Sequence, residues 1–196
     1  MKLSPEQKAD FDRDGHLFFP GLFSAAEMQP MLAAVPELYS RHEPYNVREK
    51  GTQAVRINFS AHLASEPFAR LARLARHPRM VEPVQALLGE ALYLHQFKIN
   101  GKMAFEGDVW QWHQDYGTWM NDDLMPTARG MNVAIFLDDV LATLSPWNRI
   151  SVYLRLCAVS NHIRRFKRPE FIAQRDFTPI DAGERAGHLE RTVCRH

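Results

Sequence analysis

At 196 residues, with 45% hydrophobic and 24% charged side chains, the chain has the length and ordinary composition of one globular domain, enough to bury a core. Its 24 basic and 23 acidic residues leave a formal net charge of +1, so charge gives no footprint for nucleic acid or an anionic membrane surface. No apolar run approaches the ~20 residues that span a bilayer, and Met1–Lys8 has no signal-peptide core.

Ser4-Pro5-Glu6-Gln7 joins an N-cap serine, proline at the first helical position and glutamine at the third, which predicts a helix to about Asp14 with a stop at Gly15. His16 to Phe19 reads as a short strand closed by Pro20-Gly21. Ser24-Ala25-Ala26-Glu27 is a second capping box, opening a helix expected to be interrupted at Pro30 and Pro36. Residues 41–58 are polar and mixed, and read as a loop. Ser65-Glu66-Pro67 opens a third helical region, with Leu71, Leu74, Met80, Val84, Leu87 and Leu88 at helical spacing, a break at His77-Pro78 and a stop at Gly89.

From Ala91 the period changes. Leu92 to Asn100, Val109 to Tyr116, Met131 to Leu137 and Ile150 to Val159 are rich in β-formers and read as strands. Helices followed by strands, without βαβ alternation, predict a mainly β, α+β fold: an antiparallel core with N-terminal helices packed on it. Cys157 falls in an apolar strand and reads as a small buried hydrophobe; Cys157 and Cys194 form no metal or redox motif, so a reducing, cytoplasmic setting is expected. Arg164-Arg165-Phe166-Lys167-Arg168 reads as a solvated exit from the last strand. The domain is expected over residues 1–180, and 181–196, which lose periodicity, read as a flexible tail.

The chemistry centres on His113-Gln114-Asp115. On a strand, residues i and i+2 share a face, so this histidine and carboxylate would offer two adjacent corners to a metal. Taken alone, His-x-Asp is a weak signal that reads first as a surface hydrogen-bonding pair. Its surroundings, Trp110-Gln111-Trp112-His113-Gln114-Asp115-Tyr116-Gly117-Thr118-Trp119 continuing to Asp123 and Pro126, resemble without a gap the iron-site signature of phytanoyl-CoA dioxygenase-like enzymes, the ectoine hydroxylases in particular. Asn132-Val133-Ala134-Ile135-Phe136-Leu137-Asp138-Asp139 resembles the next strand of that family, and Ser145-Pro146-Trp147-Asn148-Arg149 its closing strand.

The resemblance implies a double-stranded β-helix (jelly roll) in which Fe(II) is held by His113 and Asp115. It also implies that 2-oxoglutarate, the cosubstrate, is contacted by Gln96 and Asn100 and anchored by Arg149 through a two-pronged pair. Such enzymes spend O2 and 2-oxoglutarate to hydroxylate an unactivated C–H bond, releasing succinate. Trp110 and Trp119 would wall the substrate, though core packing accounts for two tryptophans equally well. Lys98 stands where ectoine hydroxylases use arginine towards their substrate, and lysine lacks the planar fork, so a different small polar or amino-acid-derived metabolite is expected. Cross-strand hydrogen bonding for Gln96 and Asn100, and a surface ion pair for Arg149, are the alternatives to these roles.

The family's third iron ligand, a histidine shortly before the arginine, has no counterpart. Ten residues, Asp139 to Asn148, separate Asp138 from Arg149, and none is histidine. The expectation is an internal deletion near residues 140–145 that removes central strands and leaves the jelly roll incomplete. His95, of opposite strand parity to Gln96, is expected to point away from the site and so not to substitute. Two further readings therefore stand beside an active hydroxylase: a catalytically inactive truncated remnant or gene-model artefact, and a non-enzymatic jelly-roll binding module.

Overall fold

The structure, a computed structural model, describes residues 1–59, 68–102, 113–137, 149–161 and 180. Both capping boxes form. Ser4 Oγ accepts the Gln7 N–H (3.1 Å) while Gln7 Oε1 accepts the Ser4 N–H (2.9 Å), opening α1 (Pro5–Asp14), which Gly15 ends in the left-handed region. Ser24 and Glu27 open α2 (Ala25–Ser40) in the same way. The expected interruptions at Pro30 and Pro36 do not occur, and α2 runs through both prolines. Met28, Met31, Val35 and Leu38 form one buried stripe on it. Burying four such side chains, at about 1.5–3 kcal/mol each, matches or exceeds the penalty of two interior prolines at about 3 kcal/mol each.

Two other expectations fail for want of backbone partners or pattern length. His16 to Phe19 forms no strand; it lines a cavity of about 720 Å3 whose opposite wall is the strand Gly130–Phe136. The predicted loop over 41–58 is instead a hairpin of β1 (Asn46–Arg48) and β2 (Val55–Asn58), too short for alternation to register. Asn46 pins it, accepting from Asn58 Nδ2 (2.8 Å) and donating to the carbonyls of Leu38 and Arg41. The third helical region divides at the expected place into α3 (Ala69–Leu74) and α4 (Pro78–Leu88), with His77 Nδ1 capping α4 and Gly89 ending it. Its proposed opening at Ser65-Glu66-Pro67 lies outside the described residues.

β3 (Leu92–Lys102), β4 (Gly130–Phe136) and β5 (Arg149–Ala158) join the hairpin in one antiparallel sheet ordered β1-β2-β3-β5-β4. The expected fold class, antiparallel β with N-terminal helices, is the one observed. On one sheet face Leu92, Leu94, Phe97, Ile99, Val152, Leu154 and Leu156 meet the apolar stripes of α2, α3 and α4 as the main core. On the other, Tyr93 and Cys157 pack with Trp119 and Met125, and Cys157 is buried as expected. A short 3-10 turn, Val159–Asn161, follows β5 and brings Asn161 against Thr127. Ile180 is tied back to β3 through its N–H to Leu92 O (2.7 Å). The apparent deletion near 140–145, the basic run at 164–168 and the segment 181–196 lie outside the described residues.

Candidate metal and cosubstrate site

β3 carries a bulge. Leu94 pairs with Leu156 and Gln96 with Arg155, so His95 is an extra residue between them. Both His95 and Gln96 therefore leave the main core's side of the sheet. Beyond the bulge the sheet's second face has a row across three strands, Gln96, Arg155 and Asn132, followed by Lys98 beside Tyr153 and Asn100 beside Ser151.

Asp115 is held against that row. The strand expected over Val109 to Tyr116 does not hold at its end: Asp115 is the first residue of a helix, α5 (Asp115–Asp123), and Gln114 is its extended N-cap. A carboxylate in the first turn suits the helix dipole, and Leu124 closes the helix in the left-handed region. Asp115 Oδ2 accepts from Arg155 Nη2 (2.5 Å) and Asn132 Nδ2 (3.1 Å). Its Oδ1 lies 3.4 Å from His113 Nε2. The strand-parity argument is thus replaced by a different geometry that still brings His113 and Asp115 together. Residues 103–112, Trp110 among them, lie outside the described residues.

The electrostatics follow from burial. The Arg155 side chain is 3% exposed, and its guanidinium lies 3.4 Å from the centroid of the Trp119 ring. Burial of Asp115 alone would raise its pKa, but the charge and hydrogen bond of Arg155, the Asn132 amide and the Lys98 charge together hold it below the usual carboxylate range. Burial likewise pulls Arg155 down and Asp115 pulls it back; a guanidinium stays charged through this range. The pair is therefore ionised.

The predicted cosubstrate residues separate into two groups. Gln96 and Asn100 are buried on the site face, with Gln96 Oε1 and Asn100 Oδ1 accepting no hydrogen bond. Lys98 lies between them. Arg149 opens β5 opposite Lys102, six residues from Arg155 and so roughly 20 Å along the strand; its side chain lies outside the described part. Trp119 is 8% exposed and stacks on Arg155.

The expectation that His95 points away from the site is overturned: its ring centroid is 5.2 Å from that of Trp119. The bulge, invisible to a count of alternating residues, turns it. Even so, no group of three His, Cys, Asp or Glu side chains is placed to hold a metal among the described residues. Arg155 was missed altogether. A lone arginine inside the apolar run Val152-Tyr153-Leu154-Arg155-Leu156-Cys157 was the available signal, since a charge on a buried strand requires a partner.

The model of the phytanoyl-CoA dioxygenase (PhyH) family matches residues 11–143, which include His113, Asp115 and Asn132 but stop before Arg149 and Arg155. L-proline trans-4-hydroxylase of Streptomyces griseoviridis is 38% identical over 135 residues, 69% of this chain and 49% of that protein. Ectoine dioxygenase of Bordetella bronchiseptica is 36% identical over 150 residues, 74% of this chain and 47% of that protein. The chain spans about half the length of the curated relatives it matches. Among solved structures, EctD from S. alaskensis with bound Fe superposes with a TM-score of 0.80 at 23% identity, covering 94% of this chain and 88% of that one. EctD with 2-oxoglutarate and 5-hydroxyectoine gives the same score, at 24% identity. The family match covers well over half of the residues, and the chain belongs to the phytanoyl-CoA dioxygenase family.

Proposed function

We propose that this chain carries the metal and cosubstrate half-site of an Fe(II)- and 2-oxoglutarate-dependent hydroxylase acting on a small polar or amino-acid-derived metabolite. The carrying observation is the 3.4 Å separation of His113 Nε2 and Asp115 Oδ1. Two ligands on adjacent corners of one ion, each about 2.1 Å from it, stand roughly 3 Å apart, so this pair fits an imidazole and a carboxylate oxygen on one Fe(II). Iron with 2-oxoglutarate supplies the oxygen activation that a C–H hydroxylation needs.

The chain's own residues bind, orient and shield. His113 and Asp115 hold two metal corners, and Asn132 fixes Asp115 Oδ2 so that Oδ1 is the oxygen beside the imidazole. Gln96 and Asn100 present buried amides on the site face, and their side-chain N–H groups are the ones that can donate to the oxygens of the polar cosubstrate. Arg149 is the cosubstrate's distal anchor by family resemblance. Lys98 and Trp119, with Trp110, are the substrate-side residues, and Trp119 excludes water from the buried Arg155. The proline and ectoine enzymes among the relatives favour substrates of that size and polarity.

The test is anaerobic titration of the chain with Fe(II) and 2-oxoglutarate. A visible metal-to-cosubstrate charge-transfer band that vanishes in His113→Ala is the expected result. Succinate release that depends on one member of a panel including L-proline and ectoine would then identify the substrate. A second reading, a non-catalytic family member, is favoured by the lack of a third metal ligand among the described residues. Under it the wild-type chain forms no such band.

A further inference from the structure

Resting on the metal-site reading above, we infer that Arg155 is a resident counter-cation for the iron-ligand carboxylate, so that the divalent ion and the dicarboxylate cosubstrate are taken up together. The guanidinium is bonded to Asp115 Oδ2 at 2.5 Å and is 3% exposed. It is locked from above by Trp119 and flanked in the sheet by Gln96 and Asn132. It therefore has no route by which to swing into solvent when another cation arrives.

The charges decide the consequence. Asp115 contributes −1, Arg155 +1 and the nearby Lys98 +1, so these three side chains sum to +1 before any metal enters. A divalent ion alone would raise the sum to +3. The 2-oxoglutarate dianion brings it back to +1. Arg155 also donates to Asp115, a contact of the kind that usually helps a ligand carboxylate face its metal. Here that help is outweighed, because a hydrogen bond is worth little beside the repulsion between a fixed buried monocation and a divalent ion bound to the same carboxylate. Asn132 supplies the orienting bond without the charge, so Asn132 and Arg155 act on the metal with opposite signs.

The test is binding of Mn(II), followed by its EPR signal under anaerobic conditions, to the full chain with and without 2-oxoglutarate. Arg155→Met and Arg155→Gln should bind Mn(II) alone at least about tenfold more tightly than wild type. In both, the gain in affinity on adding 2-oxoglutarate should shrink by a comparable factor, whereas Arg155→Lys, which keeps the charge, should resemble wild type. Asn132→Ala, at an exposed position that leaves the core alone, should bind several-fold more weakly. Unchanged or weaker Mn(II) binding in folded Arg155→Gln overturns the inference, as does an Arg155→Lys chain that behaves like Arg155→Met. Wild-type binding that survives His113→Ala intact, or no binding by wild type under either condition, overturns the metal-site reading itself.

Discussion

The ring of His95 stands 5.2 Å from the ring of Trp119, edge to face, although strict alternation along β3 would send His95 to the opposite side of the sheet from Gln96. Both occupy the site face because one residue of β5, Arg155, is opposed by two of β3. The indole therefore packs against the His95 ring in a T-shaped contact and carries the Arg155 guanidinium on its face.

Trp119 should accordingly matter for stability. Trp119→Ala removes an almost fully buried side chain and uncovers a buried charge, and a loss of about 3 kcal/mol or more is expected in urea unfolding. Trp119→Phe, which keeps an aromatic face over Arg155, should recover much of it. Equal losses for the two would mean that stacking on the guanidinium contributes nothing.

Asn161 fastens the end of β5 to the segment before β4. Its Oδ1 accepts from Thr127 N (3.0 Å) and Thr127 Oγ1 (2.9 Å), and its Nδ2 donates to Thr127 O (2.9 Å), all at a position 1% exposed. Asn161→Ala strands several polar groups and should cost about 2–3 kcal/mol. Asn161→Asp sets a carboxylate oxygen against the Thr127 and Arg129 carbonyls at this buried position, so it should cost at least as much as alanine when the three are compared by thermal unfolding.

Gly130 begins β4 where a methyl group would sit 2.7 Å from Cys157 Sγ. Gly130→Ala should therefore destabilise by about 1–3 kcal/mol through overpacking. In a Cys157→Ala background the penalty should shrink, since the obstructing sulfur is gone. A double-mutant cycle with no coupling between the two changes would contradict this close approach.

Acid should weaken the junction of α2 with α4. The hydrogen bond from Arg79 holds the Glu27 carboxyl at about 2, from an ordinary 4.5, with burial opposing and the Ser24 N–H and hydroxyl assisting. Since the folded value is the lower one, its contribution is complete above about pH 4.5 and drains away as pH falls towards 2. Melting temperatures from pH 6 to pH 3 should drop more steeply for wild type than for Glu27→Gln. Parallel curves would refute the assignment.

The helices were legible because their signals are local. Two serine capping boxes, Gly15 and Gly89 act within a few residues of the ends they define. The β1–β2 hairpin was not, because its strands are short and its specificity lies in Asn46 bonding to the carbonyls of Leu38 and Arg41 at the end of α2. At the site, His113 and Asp115 do lie side by side, but not through the shared strand face that the sequence pattern predicts. A helix begins at Asp115 in a stretch whose tryptophans and tyrosine favour strands, and tertiary packing of Trp119 on Arg155 overrides that preference. Arg155 is the instructive omission, because its role depends on a partner 40 positions away in the chain.

The bulge at His95 also sets where β3 can change length. Removing His95 would leave Leu94 against Leu156 and Gln96 against Arg155, so both halves of the strand would keep their faces and only one ring would be lost. Removing a neighbour such as Phe97 would instead turn over every side chain on one side of the gap, sending Lys98 and Asn100 into the aliphatic core or its leucines out of it. The strand is two runs of opposite phase joined at a doubled position, and a single-residue deletion scan across β3 should find its tolerance at His95 and Gln96, where losing either one leaves both runs in phase.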